Sequence, residues 1–320
     1  MIPRAHIQQW ADFAPWPDLR QVEQDLVISR ALCDLFGNEM IRDQIAFRGG
    51  TAIHKLLFPK PLRYSEDIDL VQTQAEPIGP VIDGVQQSLS WLGRGKRTQA
   101  QRSTTLTFRF TPEEAGDQPR KLKIEINTRE HGSQHGLRTY PFTVASEWHP
   151  ARVEITSYDR EELLATKLRA LLQRNKNRDL FDLNEALLLR GLDHDRLLAC
   201  FRQYMKHEGH PITRAVAEER MLNKLNTSLT EDITPLLPPG VHFDDDTAVA
   251  AFGGGGRSQL SCVPFCDPSA TPSRESRVAE EGLPYRRWWA LTFNLICFWS
   301  DFALNAHSQI RTKPSQWLGW

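Results

Sequence analysis

Residues 49–70 constrain this chain more than any other stretch, because a glycine turn and an acidic strand lie there within one short unit. The unit begins with Gly-Gly-Thr-Ala and ends with Ser-Glu-Asp-Ile-Asp-Leu. Successive side chains of a strand point to opposite faces of its sheet. The pattern therefore predicts that Asp67 and Asp69 share one face while Ile68 and Leu70 point into the core.

Two interpretations of Asp67 and Asp69 remain open from this pattern. The pair can be two solvated acids on an exposed strand, which is the more common case for an isolated Asp-x-Asp. It can also bind Mg²⁺, which takes oxygen ligands from one or two carboxylates together with substrate phosphates. Gly49 and Gly50 favour the metal, because glycines let the backbone approach a ligand and N–H groups before a helix bind anions. The unit as a whole predicts nucleotide chemistry.

A second acidic strand is predicted at residues 121–127, whose polar and apolar residues alternate strictly. The alternation places Lys123 and Glu125 on one face. Glu125 can complete a three-carboxylate metal site with Asp67 and Asp69, or serve as a general base if it is not held as a ligand. An amphipathic strand with a solvated face is the alternative. The aspartate pair upstream favours the metal site.

The remaining elements follow from hydrophobic periodicity and from glycine and proline breaks. Helices are predicted at 19–40, 51–57, 78–92, 192–206 and 213–229, and strands at 45–47, 64–71, 104–110 and 122–127. After Pro150 the pattern becomes helical, and a helix is predicted to open at 157–159 with acids in its first turn.

Lys167 lies among apolar residues of that helix, so it is predicted to be partly buried. A buried lysine requires a carboxylate or phosphate partner. Asp179 can be that partner, or it can cap the next helix, and the sequence leaves both open.

Charge and cysteine content narrow the class of protein only slightly. The net charge is −1, but residues 94–109 carry five basic residues and no acid, and residues 160–178 are also basic. Such stretches are solvated faces or contacts for a polyanion. The five cysteines show no disulfide framework, and residues 1–10 show no secretory signal. We therefore expect a cytoplasmic protein without a membrane segment.

The chain is predicted to divide into three parts. Residues 1–150 form a core and residues 151–252 a helical lobe. Residues 253–320 are an anomalous tail rich in serine and proline, followed by a tryptophan-rich end. The tail is interpreted as frame-shifted or fused sequence, and no function is assigned to it.

Several motifs together resemble the AbiEii/AbiGii toxin family, which includes the MenT-type toxins. These are nucleotidyltransferases of type IV toxin–antitoxin systems. The resemblance covers about residues 20–250 and is carried by Phe47–Ala52, Arg63–Leu70, Lys123–Glu125, Glu162–Ala170 and Arg178–Leu183. The family often has serine where Thr51 stands, and threonine keeps the hydroxyl. The tail departs from the family pattern and replaces the expected end of the helical lobe.

The resemblance implies an α+β fold, namely a polymerase-beta-like nucleotidyltransferase core of mixed sheet and helices with a helical C-terminal lobe. It implies an NTP substrate and Mg²⁺ as cofactor. The implied roles are phosphate binding by the turn and its neighbours, metal binding by the carboxylates, contact with the triphosphate by the lysine, and orientation of the nucleotide or acceptor by the last aspartate. The residues with these implied roles are, in that order, Gly50 and Thr51; Asp67 and Asp69; Lys167; and Asp179. Gly49, Ser65 and Lys167 are further candidates for nucleotide binding, and Glu125 is the third candidate metal ligand because of its place on the second acidic strand.

The implied acceptor is RNA, especially the 3′ end of tRNA, whose modification would block translation. Residues 94–109 are the candidate RNA contact, and a cognate antitoxin is a possible partner. Two alternatives stay open. The acceptor can be a small molecule or a protein, or the chain can be a catalytically silent nucleotide-binding partner of an antitoxin.

Overall fold

The computed structural model describes residues 2–113, 119–174, 176, 178–207, 216, 220 and 232–243. Seven strands are β1 Ile45–Arg48, β2 Asp67–Gln72, β3 Lys96–Gln99, β4 Ser103–Phe110, β5 Arg120–Asn127, β6 Leu137–Val144 and β7 Ala151–Tyr158. The helices with bounds in the described part of the chain are α1 Arg4–Trp10, α2 Leu19–Phe36, α3 Glu39–Gln44, α4 Gly49–Leu56, α5 Gly79–Ser88, α6 Arg160–Gln173, α7 Arg178–Leu187 and α8 His194–His207. Single 3₁₀ turns occupy Ser90–Leu92 and Thr234–Leu236.

The seven strands form one mixed sheet in the order β3-β4-β5-β2-β1-β7-β6. β2 is antiparallel to β1 and parallel to β5, while β7 is parallel to β1. β3, β4 and β5 form an antiparallel meander, and β6 pairs with β7 as a hairpin. This order brings β2 and β5 together at the middle of the sheet, although 47 residues separate their ends in sequence.

The core lies where the apolar faces of the central strands meet the amphipathic helices. Ile68 and Leu70 of β2 are buried, as are Ile124 and Ile126 of β5, while the alternate residues of both strands face the other side. The predicted alternation is confirmed. α2 supplies a long apolar face, and Asp18 caps its start by accepting the Arg20 backbone N–H at 2.9 Å.

The α+β fold with a mixed sheet is confirmed, and the predicted helices and strands between residues 19 and 127 occur with shifted ends. The expectation that the chain turns helical after Pro150 is wrong for residues 151–158, which form β7 and pair with β1 and β6. Helical structure begins at Arg160 instead. β3 and β6 were not predicted.

The predicted helix at 192–206 is confirmed as α8, which packs on α6. The predicted helix at 213–229 lies outside the described residues except for positions 216 and 220, and the tail 253–320 lies wholly outside them. The division into core, lobe and tail therefore stays a prediction. Among the described residues, no helix has both the length and the apolar character needed to cross a bilayer.

Candidate active site

A cavity of about 520 Å³ lies between the sheet and the helices that follow it. One wall consists of β2 and β5, and the turn that opens α4 forms its floor. The opposite wall is α6, which contributes Leu163, Thr166, Lys167, Arg169, Ala170 and Gln173, and Arg174 follows directly after its end. The cavity is therefore acidic on the side of the sheet and basic on the side of the helices.

The sheet wall carries the three predicted carboxylates. The parallel register of β2 and β5 pairs Asp67 with Lys123 and Asp69 with Glu125, so all four side chains project from one face. Glu125 accepts a hydrogen bond from the Lys123 ammonium at 2.7 Å. The structure thus brings Asp67, Asp69 and Glu125 to one wall of the cavity, although they come from separate strands.

Burial raises the pKa of both aspartates above the usual value. For Asp67, Lys123 opposes this effect and Asp69 adds to it. For Asp69, Arg48 opposes the rise and Glu125 adds to it. Glu125 differs, because the hydrogen bond and charge of Lys123 outweigh the effect of its burial and lower its pKa. For both aspartates, the neighbouring cations of the protein do not fully compensate the effect of burial on the charged carboxylate.

Mg²⁺ fits this donor set. It needs one or two carboxylates and otherwise takes waters and substrate phosphates, and Asp67 and Asp69 offer two oxygen ligands whose raised pKa values would fall beside a cation. Within the described part of the chain, no three acidic, histidine or cysteine side chains are close enough to hold a metal ion by themselves. The role of Glu125 as a third ligand stays a prediction.

The two glycines of the turn are required by their neighbours. Gly49 has φ +84°, and a Cβ there would overlap the Asp69 carboxylate. A Cβ on Gly50 would overlap the Arg63 guanidinium. Because neither glycine has a side chain, Asp69 of β2 and Arg63 of the segment before it lie directly against the backbone of the turn. Asp69 is thereby placed at the start of α4.

Thr51 and Ser65 fix the start of the acidic strand. The Thr51 hydroxyl donates to the Asp67 carbonyl at 2.6 Å and lies 2.6 Å from the Ser65 hydroxyl. Thr51 is buried, whereas Ser65 lines the cavity. The Thr51 side chain thus holds Asp67 in place, and contact of Thr51 or Ser65 with a nucleotide stays a prediction.

Lys167 is buried, as the sequence predicted, and it has two carboxylate partners. Its ammonium lies 3.0 Å from Asp179 and 2.8 Å from Asp182. Asp179 lies inside the first turn of α7 rather than ahead of it, so it pairs with the lysine and is not a cap. Arg174 donates two hydrogen bonds to Asp179, at 2.7 and 2.8 Å.

Asp182 is a fully buried hub that the sequence reasoning did not single out. It accepts from Arg63 at 2.6 and 2.7 Å and from His54 at 2.8 Å. Burial opposes its charge, but Arg63 and Lys167 outweigh that effect and hold its pKa well below the usual value. Burial also lowers the pKa of His54, whose Nδ1 accepts the Leu62 N–H while its Nε2 faces Asp182.

A second group of cations was also missed. Arg48 lies 2.6 Å from Glu130, and Arg169 lies 3.1 Å from the same carboxylate. Both arginines line the cavity. Burial opposes the charge of Glu130, yet the two arginines outweigh it and lower its pKa. Asp179 and Asp182 are three residues apart on a helix, so they share a face, and this spacing could have indicated that Asp182 belongs to the site. Glu130 lies in a loop, where no sequence pattern marks it.

A family model described as "Nucleotidyl transferase AbiEii toxin, Type IV TA system" matches residues 30–253. Among solved structures, the fold is similar to MenT4, a nucleotidyltransferase toxin of Mycobacterium tuberculosis H37Rv. The two chains share 17% identity and a TM-score of 0.57, over 78% of this chain and 87% of that one. At this identity the likeness concerns the fold.

JHP933 from Helicobacter pylori matches with 16% identity and a TM-score of 0.44, over 72% of this chain and 88% of that one. The comparison with curated proteins found no significant match. The family match spans more than two thirds of the chain and includes both walls of the cavity. The chain belongs to the AbiEii family of nucleotidyltransferase toxins of type IV toxin–antitoxin systems.

Proposed function

We propose that this toxin transfers a nucleoside monophosphate from an NTP to RNA, with the 3′ end of tRNA as the acceptor, and thereby blocks translation in the cytoplasm. The observation that carries the proposal is the cavity itself. Asp67, Asp69 and Glu125 project from one wall, and Lys167 lies on the other beside the buried carboxylates of Asp179 and Asp182. Family membership implies an NTP substrate and a cognate antitoxin.

The triphosphate is assigned to the floor and the helical side of the cavity. The backbone of Gly49, Gly50 and Thr51 opens α4, whose first N–H groups can donate hydrogen bonds to an anion. Lys167 reaches the same cavity from α6, and Asp179 and Asp182 fix its ammonium. An ammonium that is already held loses little freedom on binding a phosphate, which favours positioning of the nucleotide.

Asp67 and Asp69 are assigned as the metal ligands, and Glu125 as a third carboxylate beside them. Bound Mg²⁺ would neutralise charge on the phosphates and lower the pKa of the acceptor hydroxyl. The chain's own contribution is to hold these carboxylates in register on two strands. Glu125 is a weak base while Lys123 holds it, because its pKa is lowered.

The acceptor contact is assigned to the basic stretch 94–109. Arg94, Lys96, Arg97, Arg102 and Arg109 are all exposed, and they lie on or beside the β3–β4 hairpin at one edge of the sheet. Exposed cations on one hairpin favour a polyanion over a small neutral acceptor.

Incubation of the purified protein with total tRNA and each labelled NTP in turn, with and without Mg²⁺, tests the proposal. We expect Mg²⁺-dependent labelling of RNA with one preferred nucleotide. Asp67→Ala should lose labelling by at least about a hundredfold, since it removes charge stabilisation at the reacting phosphates. Equal labelling by the wild type and this variant would refute the assigned site.

The two alternatives predict other outcomes of the same assay. Label that enters protein or a small molecule instead of tRNA would identify a different acceptor at the same metal site. Nucleotide binding without turnover would identify a silent partner of an antitoxin. In that case Lys167→Met should still weaken nucleotide binding, whereas Asp67→Ala would have no activity left to remove.

A further inference from the structure

The cavity contains two separate groups of cations, each with its own carboxylates. The first group, here the α7-side cations, consists of Lys167, Arg63 and Arg174, which pair with Asp179 and Asp182. The second group, here the loop-side arginines, consists of Arg48 and Arg169, which share Glu130 of the loop that follows β5. Both groups line the cavity.

Asp69 is affected by both groups. The charges of Arg48 and Lys167 both oppose the rise in its pKa that burial causes. Arg48 is also the neighbour of Asp69 in the register between β1 and β2. A phosphate held beside Asp69 through a metal would therefore meet positive charge from both groups.

The loop-side arginines converge on one carboxylate. Two guanidinium groups share one carboxylate, and Glu130 is ionised because they lower its pKa. The two guanidinium groups therefore meet at one carboxylate on a concave surface, where an anion is favoured. Its geometry is fixed, since Arg169 also lies over the Tyr204 ring at 4.9 Å.

The loop-side arginines are continuous with the basic hairpin. The chain after β5 packs against the β3–β4 turn, where the Thr128 N–H donates to the Arg102 carbonyl at 3.1 Å. Arg129 donates to the Gln101 carbonyl at 3.3 Å, and both Arg129 and Arg102 are exposed. Arg129, which is next in sequence to Glu130, thus connects the loop-side arginines to Arg102 and to the exposed strand β3.

We propose that Arg48 and Arg169 bind the last phosphodiester of the RNA acceptor, and that Arg129 and Arg102 bind the phosphates before it. This inference rests on the proposed function and names the acceptor subsite within it. A compact triphosphate needs only the α7-side cations, whereas a polymer needs a track that leaves the cavity. The loop-side arginines lie on such a track.

RNA binding and nucleotide binding, measured separately, test this assignment. The probes are a fluorescent RNA with a single-stranded 3′ end and a non-hydrolysable NTP with Mg²⁺. Arg169→Gln should raise the RNA Kd about tenfold and leave the NTP Kd within about twofold, because one charge-assisted phosphate contact is lost. Arg129→Gln should raise the RNA Kd about threefold, with a salt-dependence slope smaller by about 0.7.

Arg152→Gln is the matched control, because Arg152 is an exposed arginine on β7, across the sheet from the hairpin. It should leave the RNA Kd unchanged. Arg129→Gln decides the matter if Arg169→Gln fails to fold, as judged by its melting curve, since Arg129 is exposed.

Two results would overturn the inference. One is a weaker NTP affinity with unchanged RNA affinity in Arg169→Gln, which would assign the arginine to the triphosphate. The other is a wild type that does not bind the RNA. A wild type that binds the RNA without labelling it would refute the proposed function alone, and the anisotropy series would still test the arginines.

Discussion

At the scale of single residues, the glycine turn is the most constrained part of the molecule. Gly49 needs a positive φ, and it also needs to lack a side chain because the Asp69 carboxylate lies against it. Gly50 needs to lack one because the Arg63 guanidinium lies there. The two glycines thus set how closely the acidic strand and a buried arginine approach the start of α4.

Gly49→Ala should therefore inactivate the enzyme by displacing Asp69. The left-handed backbone costs about 1–2 kcal/mol for alanine. The new Cβ also pushes the carboxylate aside, and a displacement of about 1 Å lowers turnover about a hundredfold. Steady-state nucleotide transfer and thermal melting measure the two effects. Gly93→Ala is the control, since Gly93 has φ +78° with nothing within 4 Å of the new Cβ. Equal activity of the two variants would contradict the prediction.

Asp182 illustrates how a residue that does not line the cavity supports residues that do. It is buried, and it binds Arg63, Lys167 and His54 at once. Since two permanent cations surround it, its removal leaves buried charge without a partner.

Asp182→Asn should lower the free energy of unfolding by about 3–5 kcal/mol at neutral pH, as expected for a broken buried ion pair. The native pKa of Asp182 lies below its unfolded value. Its contribution is therefore complete above about pH 4 and is lost as the pH falls toward the native pKa. Urea titrations at several pH values should show the gap between wild type and variant closing below about pH 4.

Asp34→Asn provides a comparison for that series. Asp34 is partly exposed and pairs with Arg30 at 3.4 Å, so its loss should cost under about 1 kcal/mol. A gap for Asp182→Asn that stays constant with pH would show that packing, and not charge, explains the loss.

At the scale of elements, α6 connects the two groups of cations in the cavity, because it carries Lys167 of one and Arg169 of the other. Besides its cavity-facing residues, it carries Glu162, which is fully buried. Glu162 accepts hydrogen bonds from the Ser133 hydroxyl, the Gln134 and His135 backbone N–H groups and the Tyr204 hydroxyl. One carboxylate thus fastens the loop after β5, and with it Glu130, to α6 and α8.

Glu162→Gln should loosen that loop without unfolding the sheet. An amide offers one acceptor oxygen in place of two, so buried donors are left unpaired at a cost of about 1–3 kcal/mol. Hydrogen exchange at the Gln134 and His135 amides should quicken more than exchange in β5. Glu154→Gln, an exposed change on β7, should leave both rates unchanged. Unaltered protection of the loop in Glu162→Gln would contradict this role.

Elements with a regular pattern were predictable, and those without one were not. β2 and β5 alternate strictly because one face is buried and the other lines the cavity. β3 is exposed along its whole length, so no alternation distinguishes it, and β6 contains Pro141, which weakens a strand prediction. β7 alternates at Val153 and Ile155, and that signal could have corrected the expected start of the helical region.

At the scale of the whole molecule, the enzyme consists of an acidic sheet wall and a basic helical wall with a cavity between them. The sheet wall carries three carboxylates together with Lys123 and Arg48, and the helical wall carries Lys167, Arg169 and Arg174. A nucleotide with its metal bears both signs, so it should join the two walls and stabilise the entire fold.

We expect a non-hydrolysable NTP with Mg²⁺ to raise the melting temperature by roughly 5–10 °C. A ligand at a hundred times its Kd contributes about 2.7 kcal/mol, and 1 kcal/mol corresponds to about 2–4 °C at this size. Differential scanning fluorimetry measures the shift. Asp67→Ala should lose most of it, and omission of Mg²⁺ should reduce it in the wild type. An equal shift in Asp67→Ala would mean that the metal does not bind at that carboxylate.

The sequence by itself determined the chemistry on each strand and helix. Alternation placed Asp67 and Asp69 on one face, and the burial of Lys167 among apolar residues required a carboxylate or phosphate beside it. Only the tertiary structure decided which residues meet. The pairing of β2 with β5 puts Glu125 beside Asp69. The packing of α4, α6 and α7 brings His54 and Lys167, together with Arg63 of the segment before β2, to the buried Asp182 carboxylate. These contacts join residues distant along the chain, and local periodicity records which face a side chain occupies but not which partner it meets there.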